Sequence, residues 1–408
     1  GSIPFVRVAD VDNFINYDSC VKIPKKILQS DEFATLKTIS KGDIVITKGG
    51  SIGRVSLIEK TTAVTRDLIF VNSSLLCERD CYFLYIYLNT TFCYNLMLQS
   101  SSMTAQPHLT LTLIKNIPIF NPSNEIKEKI YNLLKVSITK REKSKSKYLQ
   151  AETLLLETLG LTDFQPNSEP INIKSFKDSF LSTGRLDAEY YQKKYEEVVN
   201  LIKSKKYDTL SNIVKIKKSI EPGSSVYSDN GGLPFFRVSD YNQFGLGKPD
   251  KELKMDFVAE NLKQIEKLKP KQGTILFSKD GSVGTAYLLR EDLSGITSGA
   301  ILHLTVKDEK QIIPEYLTLV LNSKLVQKQA ERDAGGSIIL HWRVSEIENV
   351  IIPIIDYTQQ QQIAELVEES FRLKKESEQL LETAKRAVEI AIEQDENAAL
   401  QFIESANS

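Results

Sequence analysis

The sequence predicts an α+β (mixed α/β) fold in which two pseudo-repeated domains are joined by two long antiparallel helices packed as a coiled coil. Three observations predict it. Short blocks of sequence recur in the same order about 230 positions apart, two segments keep a helical apolar period over about 35 residues, and Gly-rich turns separate short apolar and β-branched runs.

Ile3-Pro4-Phe5-Val6-Arg7-Val8 recurs as Leu233-Pro234-Phe235-Phe236-Arg237-Val238, and each copy is followed by an aspartate, Asp10 and Asp240. Gly42–Glu59 recurs as Gly273–Glu291, aligned on a shared Gly-Ser-x-Gly. Leu88-Asn89 then pairs with Leu321-Asn322, and Lys115–Ile119 with Glu348–Ile354, aligned on Pro118 and Pro353. Chance matches would not stay collinear over four blocks, so a domain has been duplicated. Within each copy a hairpin is expected, Asp43–Ile46 with Arg54–Ile58 and Thr274–Phe277 with Thr285–Leu289. A further helix is read over Asp187–Ser204.

Each repeat runs into a long helix. Ile126, Ile130, Leu134, Ile138, Tyr148, Leu155 and Leu159 make the first stripe, from Asn124 to about Leu159 with no Pro or Gly inside. The second runs from about Thr358 to Ile392, through Ile363, Leu366, Phe371, Leu373, Leu381, Ala384 and Val388, with Thr358 as its N-cap and Gln361 at capping-box spacing. A helix that long needs a partner for its stripe. Lys140, Arg141, Lys143, Lys145 and Lys147 crowd the first helix, and Glu365, Glu368, Glu369, Glu376, Glu378 and Glu382 the second, so opposite charges flank the two seams. The alternatives are that each helix packs on its own domain and that the basic run is a solvated face. The expected segments are a first domain over 1–122, a helix over 123–160, a second domain over 161–356, a helix over 357–396 and a tail over 397–408.

Composition narrows the function classes. With 41% hydrophobic and 26% charged residues, the chain of 408 residues is globular, and its apolar runs are too short for a membrane helix. A cytoplasmic location and no membrane partner are expected. The net charge of -1 excludes a bulk basic field, so any nucleic-acid surface comes from local clustering. Four cysteines make no disulfide scaffold; Cys77 and Cys81 are half a metal site at most or ordinary thiols, and no metal or cofactor is expected. The chain has no Pro-Pro, no phosphate loop ending in Gly-Lys-Ser/Thr and no nucleophile with a plausible histidine partner, so no catalytic residue is assigned.

Two sets of residues stand out for binding. The hairpin turns Lys48-Gly49-Gly50-Ser51 and Lys279-Asp280-Gly281-Ser282 combine a lysine with glycines, suited to phosphate approach by Lys48, Gly49, Ser51, Lys279, Asp280 and Ser282, or else forming plain tight turns. The loops Ser100–His108 and Gly335–Arg343 occupy equivalent places. In them Gln106 suits adenine, Arg343 guanine, and Ser337, His108 and His341 either phosphate or base, with burial of His341 and Trp342 as the alternative. On the helices, Tyr131, Leu133 and Val136, and Val367, Phe371 and Ala387, are read as outer faces that exceed a two-helix seam and await a protein partner.

Taken together, the Pro-Phe-x-Arg-Val block, the Gly-Asp-Ile hairpin with its Gly-Ser-x-Gly, the Ile-Pro-Ile entry into a long helix and the duplication of the whole set resemble the DNA-specificity (S) subunit of type I restriction-modification systems. The likeness covers nearly the whole chain. It implies two target recognition domains, each reading one half of a split double-stranded DNA site, on helices that dock DNA methyltransferase (modification) subunits, with restriction/translocase subunits joining them. It implies a non-catalytic chain without cofactors. The family's first domain carries a segment before the Pro-Phe-x-Arg-Val block; the corresponding stretch from about Ile171 to Gly232 has no counterpart before Ile3, so the first domain is expected to lack about 60 residues behind a Gly1-Ser2 cloning remnant. The specificity subunit of another restriction-modification type, or a coiled-coil scaffold without DNA readout, is the alternative.

Overall fold

The computed structural model describes residues 1–29, 36–101, 108–167, 169, 171–228, 230–336 and 338–406. Two compact units form, one from Gly1–Lys143 with Leu373–Ser408 and one from Ser144–Arg372. Each unit is a globular repeat built onto part of both long helices.

In the first unit, β1 (Ser2–Val6), β2 (Val21–Pro24), β3 (Lys37–Ile39), β4 (Ile44–Thr47), β5 (Val55–Leu57), β6 (Thr62–Val64) and β7 (Leu68–Val71) make two sheets, ordered β2-β1-β6-β3 and β5-β4-β7. The expected hairpin is β4 with β5, antiparallel, with Ile44 opposite Leu57. β4 is buried on both faces, and strand alternation divides its side chains between two cores. Ile44 and Ile46 join the core shared with the long helices, and Val45 joins a second core with Val6, Val11, Ile15 and Val64.

The second unit repeats this plan. Its strands are β8 (Tyr207–Thr209), β9 (Val214–Lys218), β10 (Tyr227–Ser228), β11 (Leu233–Phe236), β12 (Tyr241–Asn242), β13 (Gly245–Leu246), β14 (Lys251–Leu253), β15 (Ile275–Ser278), β16 (Ala286–Leu288), β17 (Ile296–Thr297), β18 (Ile301–Val306) and β19 (Ile351–Pro353). The sheet β16-β15-β18-β9 is β5-β4-β7 with one strand added, and the parallel pair β11–β17 matches β1–β6. Ile275 and Phe277 face one core while Leu276 faces another, the same alternation as in β4. The helix read over Asp187–Ser204 is two pieces, a 3-10 turn at Ala188–Tyr191 and an α-helix at Lys193–Lys203. Asn172 Nδ2 donates to the Tyr191 carbonyl at 2.7 Å, while the Tyr195 N–H donates to the Gln192 carbonyl at 3.1 Å, which separates the two.

The long helices span Asn124–Leu159 and Tyr357–Glu393 and pack together antiparallel. In the first unit the Ser137 hydroxyl donates to the Ser377 carbonyl at 2.7 Å and Ser377 returns the bond at 2.8 Å. In the second unit the Ser370 hydroxyl donates to the Ser144 carbonyl at 2.8 Å. All four serines are buried, and Ser370 and Ser377 stand 233 positions after Ser137 and Ser144, the same offset that separates the helix starts Asn124 and Tyr357. Hydroxyls that reach the facing backbone require helices packed at short range, which small side chains permit. The charge pairing is also present, Lys140 with Glu376 at 2.6 Å and Lys147 with Glu369 at 2.9 Å.

Two boundary readings are corrected. The second long helix begins at Tyr357, which places Thr358 inside its first turn. Gln360, buried at 1% exposure, ties that start instead, donating through Nε2 to the Gln311 and Ile355 carbonyls at 3.1 and 3.0 Å. The C-terminal stretch is a helix, Glu396–Ala406, because Ala399 and Ile403 fall on one face and bury into the first unit's core. Among the described residues no helix is long and apolar enough to cross a membrane.

One buried group sets a pH dependence. His303 on β18 is 3% exposed, and burial first, then the neighbouring Lys217 charge, pulls its pKa down to about 4. The unfolded chain, with an ordinary histidine near 6.5, binds the proton more readily, so stability falls as pH drops from about 6.5 toward 4. The loss approaches about 3 kcal/mol. Urea unfolding of the second unit at pH 7 and pH 4.5 is expected to show this drop in the wild type and a smaller one in His303→Gln.

Candidate nucleic-acid interface

Each hairpin turn is held open by the same device. In the first unit the buried Thr47 hydroxyl donates to the Ser51 carbonyl at 2.5 Å and accepts from the Arg54 N–H at 2.9 Å, bracing the turn from inside. In the second unit Ser278 does the same with the Ser282 carbonyl and the Thr285 N–H. The chain reverses through Gly50 and Gly53 (φ +70° and +76°), matched by Gly281 and Gly284 (φ +74° and +82°), a conformation that side chains disfavour. The bracing hydroxyls were not singled out from sequence; their signal is a small polar residue ending an otherwise apolar strand in both copies.

The histidine loops dock on these turns through equivalent bonds. The Leu109 N–H donates to the Lys48 carbonyl, and the Trp342 N–H to the Lys279 carbonyl, both at 2.8 Å. His108 lies against Gly49 so closely that a Cβ there would come within 3.0 Å of its ring. Asp280 occupies the corresponding place in the second turn, and His341 Nδ1 lies 2.9 Å from its Oδ1. Lys279 Nζ pairs with the other carboxylate oxygen of Asp280. Trp342 is buried at 1% exposure, its ring 5.8 Å from that of Phe277, whereas the His341 side chain is 64% exposed. The burial alternative therefore holds for the tryptophan and not for the histidine.

The other expected residues fall as follows. Ser51 and Ser282 are exposed, Gly49 is buried under His108, and Lys48 is half-buried without an ion pair among the described residues. Gln106 and Ser337 lie outside the described residues. Arg343 caps the short helix Val344–Glu348, with its guanidinium on Glu346, so its donors are partly engaged although the side chain is 71% exposed. Arg7 and Arg237 stand at equivalent places in the two repeats. Each N–H donates to the recurring aspartate, at 2.8 Å to Asp10 and 2.7 Å to Asp240, which gives that aspartate a capping role. The Arg7 segment abuts the turn, since Val8 Cγ1 lies 3.7 Å from a Cβ built on Gly50. Next to His341, Ile338, Ile339 and Leu340 are 95%, 54% and 42% exposed.

The outer-face reading of the helices needs correction at four positions. Leu133 and Ala387 are buried in the first unit's core, and Val367 in that of the second, because each helix is covered by a globular repeat as well as by the other helix. Phe371 is half-buried, with the Arg290 guanidinium 3.4 Å from its ring centroid and Tyr287 and Tyr148 rings at 6.2 and 6.5 Å. A charge at Phe371 would therefore disrupt the second unit itself. Tyr131 donates to Glu78 at 2.9 Å with its ring 5.5 Å from that of Tyr82 and tilted by 45° to it, and Val136 is 46% exposed.

Two repeats with one construction, turn against histidine loop, match the family model described as the type I restriction modification DNA specificity domain, over residues 1–151 and 203–383. The chain belongs to that family. It is a specificity (S) subunit. Among curated proteins it is similar to the type I restriction enzyme MjaIX specificity subunit of Methanocaldococcus jannaschii, 23% identical over 362 residues, covering 86% of this chain and 77% of the relative. Among solved structures it aligns with the HsdS subunit from Thermoanaerobacter tengcongensis at 15% identity and TM-score 0.31, covering 97% of this chain and 91% of the other. The type I restriction-modification S subunit from M. genitalium aligns at 15% identity and TM-score 0.36, covering 90% and 84%.

Proposed function

We propose that each repeat of this specificity subunit reads one half of a bipartite double-stranded DNA target with its turn and histidine loop, in the cytoplasm. The long helices carry methyltransferase subunits, with restriction/translocase subunits joining, and this chain supplies recognition without catalysis. The observation that supports the reading is the duplicated construction: the same braced turn, the same lysine and the same docked histidine occur in both units, as two half-sites require.

The lysines then differ in a measurable way. Lys48 has no ion pair among the described residues, whereas Lys279 is paired with Asp280. Replacing Lys48 with Ala is expected to weaken binding of the assembled complex on all sequences alike and to reduce the slope of log K against log salt by about 1, as for one phosphate contact. Lys279→Ala is expected to do less, because Asp280 already offsets its charge. Gel shifts at several salt concentrations check this. A changed sequence preference in Lys48→Ala would make that lysine a base reader, and the absence of any shift with the wild-type complex would favour a scaffold without DNA readout.

A further inference from the structure

The second turn holds a feature that the first lacks. Asp280 stands where the first turn has Gly49, and it joins two segments 61 residues apart through its bond to His341. Both carboxylate oxygens are engaged, Oδ2 by Lys279 Nζ and Oδ1 by His341 Nδ1 at 2.9 Å. A carboxylate can only accept, so Nδ1 must carry the hydrogen. In the neutral ring that leaves Nε2 as a bare acceptor, and among the described residues it has no partner. The ring is fixed at its base as well: the His341 N–H and carbonyl both bond to Gly335, at 2.7 and 3.0 Å, and the next residue is the buried Trp342. A side chain 64% exposed is thus held in one orientation and one tautomer.

Resting on the DNA-reading proposal above, we infer that His341 is a specificity-determining residue of the second repeat, and that Asp280 is the positioning residue that presents its Nε2 as a hydrogen-bond acceptor. The chemistry it would recognise is the exocyclic amino group of adenine or cytosine, the donors that a duplex offers in its major groove. Asp280 acts through the ring, its two oxygens being engaged by Lys279 and His341. The first repeat lacks this carboxylate, since Gly49 stands at the corresponding position.

The test uses the full chain with its methyltransferase subunits expressed in cells, and maps methylated bases across the genomic DNA to define the bipartite motif. His341→Ala and Asp280→Gly, the latter restoring the Lys-Gly-Gly-Ser sequence of the first turn, are each expected to relax the same single position in one half of the motif by about tenfold in base preference. Asp280→Asn preserves the size of the side chain and one accepting oxygen, so its effect is expected to be intermediate and at the same position. The other half of the motif is expected to stay intact in all three. An unchanged motif, uniformly lower methylation at an unchanged motif, or relaxation at different positions in the His341 and Asp280 variants overturns the inference. A wild-type chain that directs no methylation at a bipartite motif overturns instead the reading on which the inference rests.

Discussion

Trp342→Ala is expected to lower the stability of the second unit by about 3–5 kcal/mol, the range for removing a large aromatic side chain from a core. The indole is 1% exposed and shares a core with Phe277, Val326 and Ile347, so its loss leaves a cavity that the strands of a braced sheet cannot readily fill. Its ring also anchors the residue that directly follows His341, so the histidine loop loses its buried support when the ring is removed. The variant should therefore lose both unfolding midpoint and the sequence preference of one half-site. Urea unfolding followed by tryptophan-independent circular dichroism measures the first; an unfolding free energy within about 1 kcal/mol of wild type would mean that the core closes over the gap.

The second large effect is expected from Ser377→Asp. Ser377 is 2% exposed and makes reciprocal bonds with Ser137, whose carbonyl would then face a carboxylate instead of a hydroxyl donor. A lone buried charge with an acceptor opposite costs several kcal/mol. Ser377→Ala removes one of the bonds yet leaves the Ser137 hydroxyl on the facing carbonyl, so a loss of about 1 kcal/mol is expected from it. Thermal unfolding of the pair separates the two cases: equal midpoints for Asp and Ala variants would show that water reaches this seam.

Much of this architecture was legible because local chemistry and tertiary structure agree. The hairpins follow from β-branched runs around glycines, and the long helices from an unbroken apolar period; both appear with nearly the expected boundaries. Periodicity, however, says which residues are apolar and not what covers them. Leu133, Val367 and Ala387 looked surplus to a two-helix seam, and the globular repeats cover them. The Asp280–His341 pair was legible only as two separate candidates, since no local pattern links a turn to a loop 61 residues later. Thr358 was misread for a related reason: the residue that anchors the helix start, Gln360, finds its partners at Gln311 and Ile355, the first of them far outside any capping window.

The composition of the two units also sets an order of assembly during synthesis. The second unit is a single continuous stretch, Ser144–Arg372, whereas the first is interrupted by it and also needs Leu373–Ser408, which is synthesised only after the whole second unit. Until then Ile126, Ile130 and Leu134 lack Leu381, Ala384 and Val388, with which they share a core. At about 5–20 residues per second, the N-terminal half waits tens of seconds with apolar surface uncovered. The part of the first unit made before the second is thus buried only after the second is complete, and chaperone dependence should concentrate on it.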